Sequence, residues 1–257
     1  MKKYEMGKVR EIKSLAPGIF DMKVECTLSE YALPGQFAML YPKNASTLLP
    51  RPISICEVEK GALRFVFRVA GKGTKEFSGY SAGDEIRVMG PIGNGYPLEA
   101  AKGRKAVLLG GGIGVPPILE LAKQLSEKES DVTVIPGYRD SNMFLKEDFE
   151  KYAKTLVATE DGSFGTKGNV MDAIRENGIK PDVIYACGPM PMLRAIKKYA
   201  EENGIEAYIS LEERMACGVG ACLGCVVKTK EPDHHSHVNN TRICTEGPVF
   251  EAREVEI

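Results

Sequence analysis

The sequence has no long hydrophobic run: nothing in its 257 residues approaches the ~20 apolar residues that a membrane-spanning helix requires. Its first residues, Met1-Lys2-Lys3-Tyr4-Glu5, carry two lysines but no apolar stretch of the kind that drives secretion. A soluble, cytoplasmic protein is expected. An excess of either charge is missing too. Lysine and arginine number 34 against 35 aspartates and glutamates, a formal net charge of -1, and the two signs are interleaved. No basic stripe for nucleic acid results. There is no low-complexity tract, and the hydrophobic fraction of 43% with 27% charged residues is that of an ordinary globular chain. No Ser-His-Asp or Cys-His arrangement stands out, so hydrolase chemistry is not indicated.

What is present is an uneven distribution of cysteine. Of seven in all, Cys217, Cys222, Cys225 and Cys244 fall near the C-terminus, whereas Cys26 and Cys56 lie in strand-like patterns and read as core residues. In a chain without a secretory signal, such crowding points to a metal or redox site and away from a disulfide framework.

The length exceeds the roughly 100 to 150 residues usual for one domain, and the pattern divides it in three. Residues 1–99 read as short strands punctuated by turns: Lys8 to Ser14, Ile19 to Cys26, Gln36 to Tyr41, Arg51 to Glu57, Ala62 to Val69 and Glu85 to Met89, with one short helix from about Thr74. Strands at this spacing predict a closed antiparallel β-barrel. In residues 100–210 apolar strands (Ala106 to Leu109, Asp131 to Ile135, Thr155 to Thr159, Val183 to Cys187) alternate with helices (Pro117 to Lys128, Lys146 to Lys154, Asn169 to Asn177, Met190 to Glu202). That alternation predicts a doubly wound parallel sheet of nucleotide-binding type. In residues 211–257 periodicity fades, glycine and cysteine crowd together, and a small module held by its metal is expected. The fold class is therefore β plus α/β, with a small metal module at the C-terminus.

Cys217-Gly-Val-Gly-Ala-Cys222-Leu-Gly-Cys225, followed by Cys244, has the C-x4-C-x2-C…C spacing of plant-type [2Fe-2S] ligation. Thiolates suit iron, and the glycines let backbone N–H groups turn toward sulfur. A four-cysteine zinc site is the alternative, though zinc ribbons use two C-x2-C pairs. His234, His235 and His237 between the last two cysteines form either a solvated polar loop or substitute ligands in the Rieske manner. At Arg51-Pro52-Ile53-Ser54, the arginine can grip a pyrophosphate, the serine can donate to a flavin ring nitrogen, and Gly73-Thr74 opens a helix toward phosphate. Taken alone, these segments could equally be a turn and a barrel-closing loop. Gly110-Gly111-Gly112-Ile113-Gly114 lies between strand and helix, the setting for a dinucleotide pyrophosphate, although it departs from strict G-x-G-x-x-G. Cys187-Gly188-Pro189-Met190 ends a later strand at the edge where parallel sheets bind ligands. Its thiol is either beside a nicotinamide or simply a core cysteine. After the strand Asp131 to Ile135, Arg139 and Ser141 could receive a 2'-phosphate and Asp140 a ribose hydroxyl, leaving NAD against NADP open.

In this order, the Arg51 segment, the glycine turn, the Cys187 segment and the terminal cysteines resemble the ferredoxin-NADP reductase superfamily. The run Ser210-Leu-Glu-Glu-Arg-Met-Ala-Cys217 through Cys225-Val-Val-Lys228 is similar, more narrowly, to the dihydroorotate dehydrogenase B electron-transfer subunits. The resemblance covers the whole chain. It implies an FAD-binding barrel with contacts from Arg51, Pro52, Ile53, Ser54, Arg68, Val69, Ala70, Gly73 and Thr74, Ile53 standing where many superfamily members have Tyr or Phe. For NAD it implies Gly110 to Gly114 and Cys187 to Met190, and for a [2Fe-2S] cluster the four cysteines. It further implies that dihydroorotate is oxidised at the FMN of a catalytic partner and that electrons pass through cluster and FAD to NAD+ in pyrimidine biosynthesis, within a heterotetramer of two subunits of each kind. The same architecture serves flavin subunits of bifurcating transhydrogenases and hydrogenases, and a redox-sensing protein without turnover is the reading from another class.

Overall fold

The computed structural model describes residues 3–44, 46–128, 130–232 and 237–257. Among them, six strands form a closed barrel: β1 (Lys3–Ala16), β2 (Ile19–Glu25), β3 (Phe37–Tyr41), β4 (Arg51–Glu59), β5 (Ala62–Arg68) and β6 (Glu85–Ile92), in the spatial order β1-β2-β5-β4-β3-β6. The ring closes where Lys3 to Lys8 of β1 pair antiparallel with Gly90 to Glu85 of β6. Inward-facing Met22, Val24, Leu40, Ile55, Leu63, Phe65, Phe67, Ile86 and Val88 fill it. The short helix α1 (Lys72–Phe77) supplies Phe77, fully buried and edge-on to Phe67 at 6.0 Å between ring centroids.

The next segment carries β7 (Lys105–Gly111), α2 (Leu119–Glu127), β8 (Asp131–Tyr138), α3 (Lys146–Glu150), β9 (Lys154–Thr155), β10 (Ala158–Thr159), β11 (Thr166–Lys167), α4 (Val170–Glu176), β12 (Val183–Cys187), α5 (Met190–Asn203) and β13 (Glu206–Ser210). Successive strand residues point to opposite faces. Val107, Leu109, Ile184 and Ala186 pack with α4 and α5, while Ala106, Leu108, Val183 and Tyr185 pack with α2 and α3. Both faces are apolar because both are covered, which is what a doubly wound sheet requires. The expected strand Thr155 to Thr159 is divided into β9 and β10, and α3 stops at Glu150 because Lys154 and Thr155 pair with β8 instead. Beyond it come β14 (Val226–Lys228), β15 (Asn240–Arg242) and β16 (Val249–Glu251). β14 and β15 form an antiparallel pair, and β16 joins β13 as the edge of the large sheet, ordered β11-β10-β8-β7-β12-β13-β16.

The barrel and the sheet meet through charge as well as oil. Arg64 of β5, only 6% exposed, chelates Asp21 at 3.0 and 2.9 Å, bonds Glu57 at 2.9 Å, and reaches across to Asp148 of α3 at 3.0 Å. Removing one partner of a buried ion network strands the others. Arg64→Met is expected to lower unfolding stability by roughly 3–5 kcal/mol in chemical denaturation, because Asp21, 2% exposed, loses its bidentate partner. Additional replacement of Asp21 by Asn should recover part of that loss.

Candidate functional site

Two adjoining cavities open at the carboxyl ends of the sheet strands and along the barrel flank. The smaller, about 280 Å3, is lined by Arg51, Pro52, Ile53 and Ser54 of β4, by Phe67 and Arg68 of β5, and by Ala70 and Thr74. These come together because β4 and β5 are hydrogen-bonded neighbours and α1 follows β5 directly. Arg51 is held there by its own backbone: Nη1 donates to the carbonyls of Leu49 at 2.7 Å and Pro50 at 3.3 Å, and the side chain lies directly against Gly73. Thr74 Oγ1 accepts the amide protons of Ala70 at 2.9 Å and Gly71 at 3.2 Å, folding the approach to α1 into a tight loop. Gly73 supports Arg51 from beneath and, like Val69, does not itself line the cavity.

The larger cavity, about 610 Å3, is lined by Gly111, Gly112, Ile113 and Gly114, by Gly188 and Pro189, and by Arg139, Glu160 and Arg175. Gly114 is where the two strand-end turns touch. A Cβ placed there would stand 2.4 Å from the Cys187 carbonyl oxygen and 2.6 Å from the Gly188 nitrogen. Gly110 sits below the lining, packed on Val115 and Ile118, and Met190 lies to the side in the apolar core. Cys187, offered by the sequence as a contact for a bound nicotinamide, has its thiol 1% exposed and outside the cavity lining. The strand's alternation turns it inward, where burial pushes its pKa up, with Glu212 adding to the effect and Ser210 opposing it. It is a core thiol whose backbone, not its sulfur, meets the glycine turn.

Arg68, Ile113 and Glu212 line both cavities and so form their common wall. Glu212 was not singled out from the sequence. It faces water inside the cleft, yet the walls desolvate it enough to raise its carboxyl pKa, against the pull of Arg68 opposite. It follows β13, a strand not read from the sequence, so no signal pointed to it.

From that wall the chain runs straight to the cysteines. Ser210 to Glu213 and Met215 line the smaller cavity, and Cys217 follows two residues later. Cys217 Sγ accepts the amide protons of Val219 and Cys222, each at 3.4 Å. Its partial burial opposes ionisation, but these donors, the Cys222 thiol and the Ala221 amide outweigh that and bring its pKa down to about 6. Cys225 and Cys244 are buried as a second pair, and burial, then the neighbouring Cys225 thiol, raises Cys244 to about 11. Gly218, at φ +66°, lies where a Cβ would meet Met39 of β3 at 2.9 Å and Met89 of β6 at 3.0 Å, so the loop rests on the barrel wall. Arg242 secures the far side, donating to the Gly220 carbonyl at 3.1 Å and to Glu246 at 2.6 Å. The thiols stand in two pairs, Cys217 with Cys222 and Cys225 with Cys244, an arrangement suited to a binuclear centre with two thiolates per iron. His234 and His235 lie outside the described residues; His237 is exposed.

Comparison with known proteins decides between the members of this architecture. A protein of Geobacillus sp. (strain WCH70), the electron transfer subunit of dihydroorotate dehydrogenase B (NAD(+)), is 43% identical over 261 residues, covering 99% of each chain. The chain belongs to the dihydroorotate dehydrogenase B electron transfer subunit family. The corresponding subunit of Fusobacterium nucleatum subsp. nucleatum is 42% identical, again over 99% of both chains. Residues 212–256 match the iron-sulfur cluster binding domain of dihydroorotate dehydrogenase B, and residues 108–198 match the oxidoreductase NAD-binding domain. Among solved structures, an NADH-dependent reduced ferredoxin-NADP oxidoreductase studied for flavin-based electron bifurcation superposes with a TM-score of 0.85 at 28% identity, over 98% of this chain and 90% of that one. A ferredoxin NADP+ reductase from Neisseria gonorrhoeae shares the fold, with a TM-score of 0.67 at 16% identity over 96% of this chain and 99% of that one. The protein is thus an electron-transferring oxidoreductase subunit of the dihydroorotate dehydrogenase B family. Among the described residues no helix is long and apolar enough to cross a membrane.

Proposed function

We propose that this subunit, in the cytoplasm, relays electrons from a dihydroorotate-oxidising, FMN-containing catalytic partner to NAD+, as part of pyrimidine biosynthesis and within a heterotetramer of two subunits of each kind. In this reading residues 1–99 form the FAD-binding barrel, 100–210 the NAD-binding domain and 211–257 the [2Fe-2S] module. The observation that carries it is continuity. The larger cavity shares a wall with the smaller one, and Met215, which lines the smaller, lies two residues before Cys217.

Arg51, Pro52, Ile53 and Ser54, with Arg68, Val69, Ala70, Gly73 and Thr74, would hold FAD. The fit rests on an arginine fixed in place at the cavity rim and on the N–H groups of α1's first turn, which precede its first backbone bond from Lys75 to the Gly71 carbonyl. Bound there, FAD supplies two-electron exchange with nicotinamide and one-electron exchange with the cluster. Gly110 to Gly114 and Gly188 to Met190 would seat the nicotinamide and pyrophosphate of NAD, the backbone of Cys187 closing the turn. Cys217, Cys222, Cys225 and Cys244 supply four soft thiolate ligands in two pairs, with backbone donors already aimed at Cys217. The test is whether the isolated chain, with FAD and iron restored, oxidises NADH with an artificial acceptor. Failure to do so would refute the relay.

The choice of NAD over NADP falls to Glu160. Asp140, the acid suggested by the sequence, is turned to its own loop, accepting from the Asn142 amide and side chain at 2.8 and 2.7 Å. Glu160 instead lines the large cavity, as do Arg139 and Arg175. Its carboxylate suits a ribose hydroxyl and repels a 2'-phosphate. Glu160→Ser is expected to raise kcat/KM for NADPH by about ten- to a hundredfold while lowering that for NADH. An unchanged NADH/NADPH ratio would move selectivity elsewhere in the cavity.

The likeness to an NADH-dependent reduced ferredoxin-NADP oxidoreductase studied for electron bifurcation favours a second reading, in which this chain is the flavin subunit of a bifurcating complex. Identification of the subunit that copurifies separates the two.

A further inference from the structure

Helix α2 follows the glycine turn and meets the barrel with its first turn. The turn Pro116–Ile118 joins Gly114 to the helix, and Pro117 lines the smaller cavity. Two residues into the helix proper, Glu120 is 2% exposed. Its Oε2 accepts the amide proton of Val58 at 2.8 Å and its Oε1 accepts from Gln124 Nε2 at 2.7 Å. One turn on, Lys123 Nζ donates to the Val58 carbonyl at 2.8 Å. A single helix therefore clasps both backbone groups of one barrel residue. Val58 lies in β4, whose opposite end is Arg51 to Ser54.

This contact is chemically expensive. Burying a carboxylate costs several kcal/mol unless directed bonds offset it, and burial does raise the pKa of Glu120, against the pull of Val58, Gln124 and Lys123. An apolar side chain would seal a helix against a barrel with less penalty but would leave the helix free to slide, because apolar contact is non-directional. Two hydrogen bonds to one residue set position along β4 as well as distance. The neighbouring network reinforces the placement: Tyr152 donates to Glu57 at 3.2 Å, and Arg64 ties Glu57 to Asp148. The strand that carries the Arg51 segment and the helix that carries the glycine turn are pinned at one point.

We infer that Glu120, assisted by Lys123, is a positioning residue for electron exchange: its grip on Val58 fixes the span between the glycine turn and the Arg51 to Ser54 segment. The inference rests on the assignment of those segments to nicotinamide and flavin given above. Misplacement of reacting groups by about 1 Å can slow a step by about a hundredfold, so a clasp remote from the chemistry can govern its rate.

The experiment uses the purified holoprotein and the variants Glu120→Leu, Glu120→Gln and Lys123→Met. Three quantities are followed: amide exchange at Val58, the dissociation constant for NADH, and the limiting rate of flavin reduction at saturating NADH. In Glu120→Leu, faster Val58 exchange and a limiting rate lower by about ten- to a hundredfold are expected, with the dissociation constant little changed. Glu120→Gln keeps an acceptor for the Val58 amide and should restore most of the rate. Lys123→Met, at a partly exposed position, should fold normally and show a smaller effect of the same kind. If Glu120→Leu or Lys123→Met frees the Val58 amide while the limiting rate stays at the wild-type value, the positioning role is overturned. If wild-type protein carrying FAD is not reduced by NADH, the assignment of the two cavities fails, and this inference with it.

Discussion

Cys222→Ser is expected to leave a protein that still binds FAD and oxidises NADH with an artificial acceptor, yet passes almost nothing to or from its catalytic partner. Cys222 is the exposed member of the four, and its substitution touches neither cavity lining. Its backbone amide still reaches Cys217, so the loop keeps its shape while the pair Cys217 and Cys222 loses a thiolate. Electron paramagnetic resonance of the reduced protein should show the [2Fe-2S] signal lost or strongly altered. Dihydroorotate:NAD+ activity of the reconstituted complex should fall by at least about a hundredfold, because the remaining route would be a far longer transfer, whereas NADH oxidation by the subunit alone should hold near its wild-type rate. Full activity of the complex with the signal absent would show that electrons bypass the cysteine loop.

Gly114→Val is expected to be the complementary lesion, silencing NADH while sparing flavin and cluster. The added Cβ would meet backbone on the facing turn, the Cys187 carbonyl at 2.4 Å and the Gly188 nitrogen at 2.6 Å, where no flexible side chain can yield. One of the two turns that frame the larger cavity must then shift. A displacement near 1 Å there predicts a loss of about a hundredfold or more in kcat/KM for NADH. Overpacking of this kind also destabilises by about 1–3 kcal/mol, so thermal denaturation is measured alongside. A folded, yellow variant that NADH reduces normally would sink the assignment of the glycine turn to NAD.

The elements most legible in the sequence were those under a single strong constraint. The strand Val183 to Cys187 was bounded to the residue, since both its faces are buried and it has no polar position to blur the pattern. The cysteine spacing was legible because sulfur ligation of iron tolerates few arrangements. What escaped notice depended on distant partners. Glu206 to Ser210 is a strand because β12 and β16 flank it, and residues 249–251 form a strand only through pairing with β13. Glu212 is desolvated by walls that only the fold assembles, with Arg68, more than a hundred residues earlier, pulling its pKa the other way, and Glu160 reaches the large cavity because β10 pairs parallel beside β8. Cys187 was left open between a nicotinamide neighbour and a core cysteine for a related reason. Being at a strand's end indicates a site, but the parity of the alternation decides whether backbone or side chain faces it.

The seam between the parts has a consequence for inheritance. One continuous apolar cluster gathers Phe37, Met39 and Met89 of the barrel, Leu109, Ile184 and Ile209 of the sheet, and Cys225, Ile243, Cys244 and Phe250 of the terminal segment, and β16 is itself the last strand of the sheet. A cassette cut at the end of β13 would carry away an edge strand and open the middle of the molecule. Separation at that boundary would leave two fragments with exposed cores, so exchange of the tail between related chains is expected to require matched substitutions on β3 and β6.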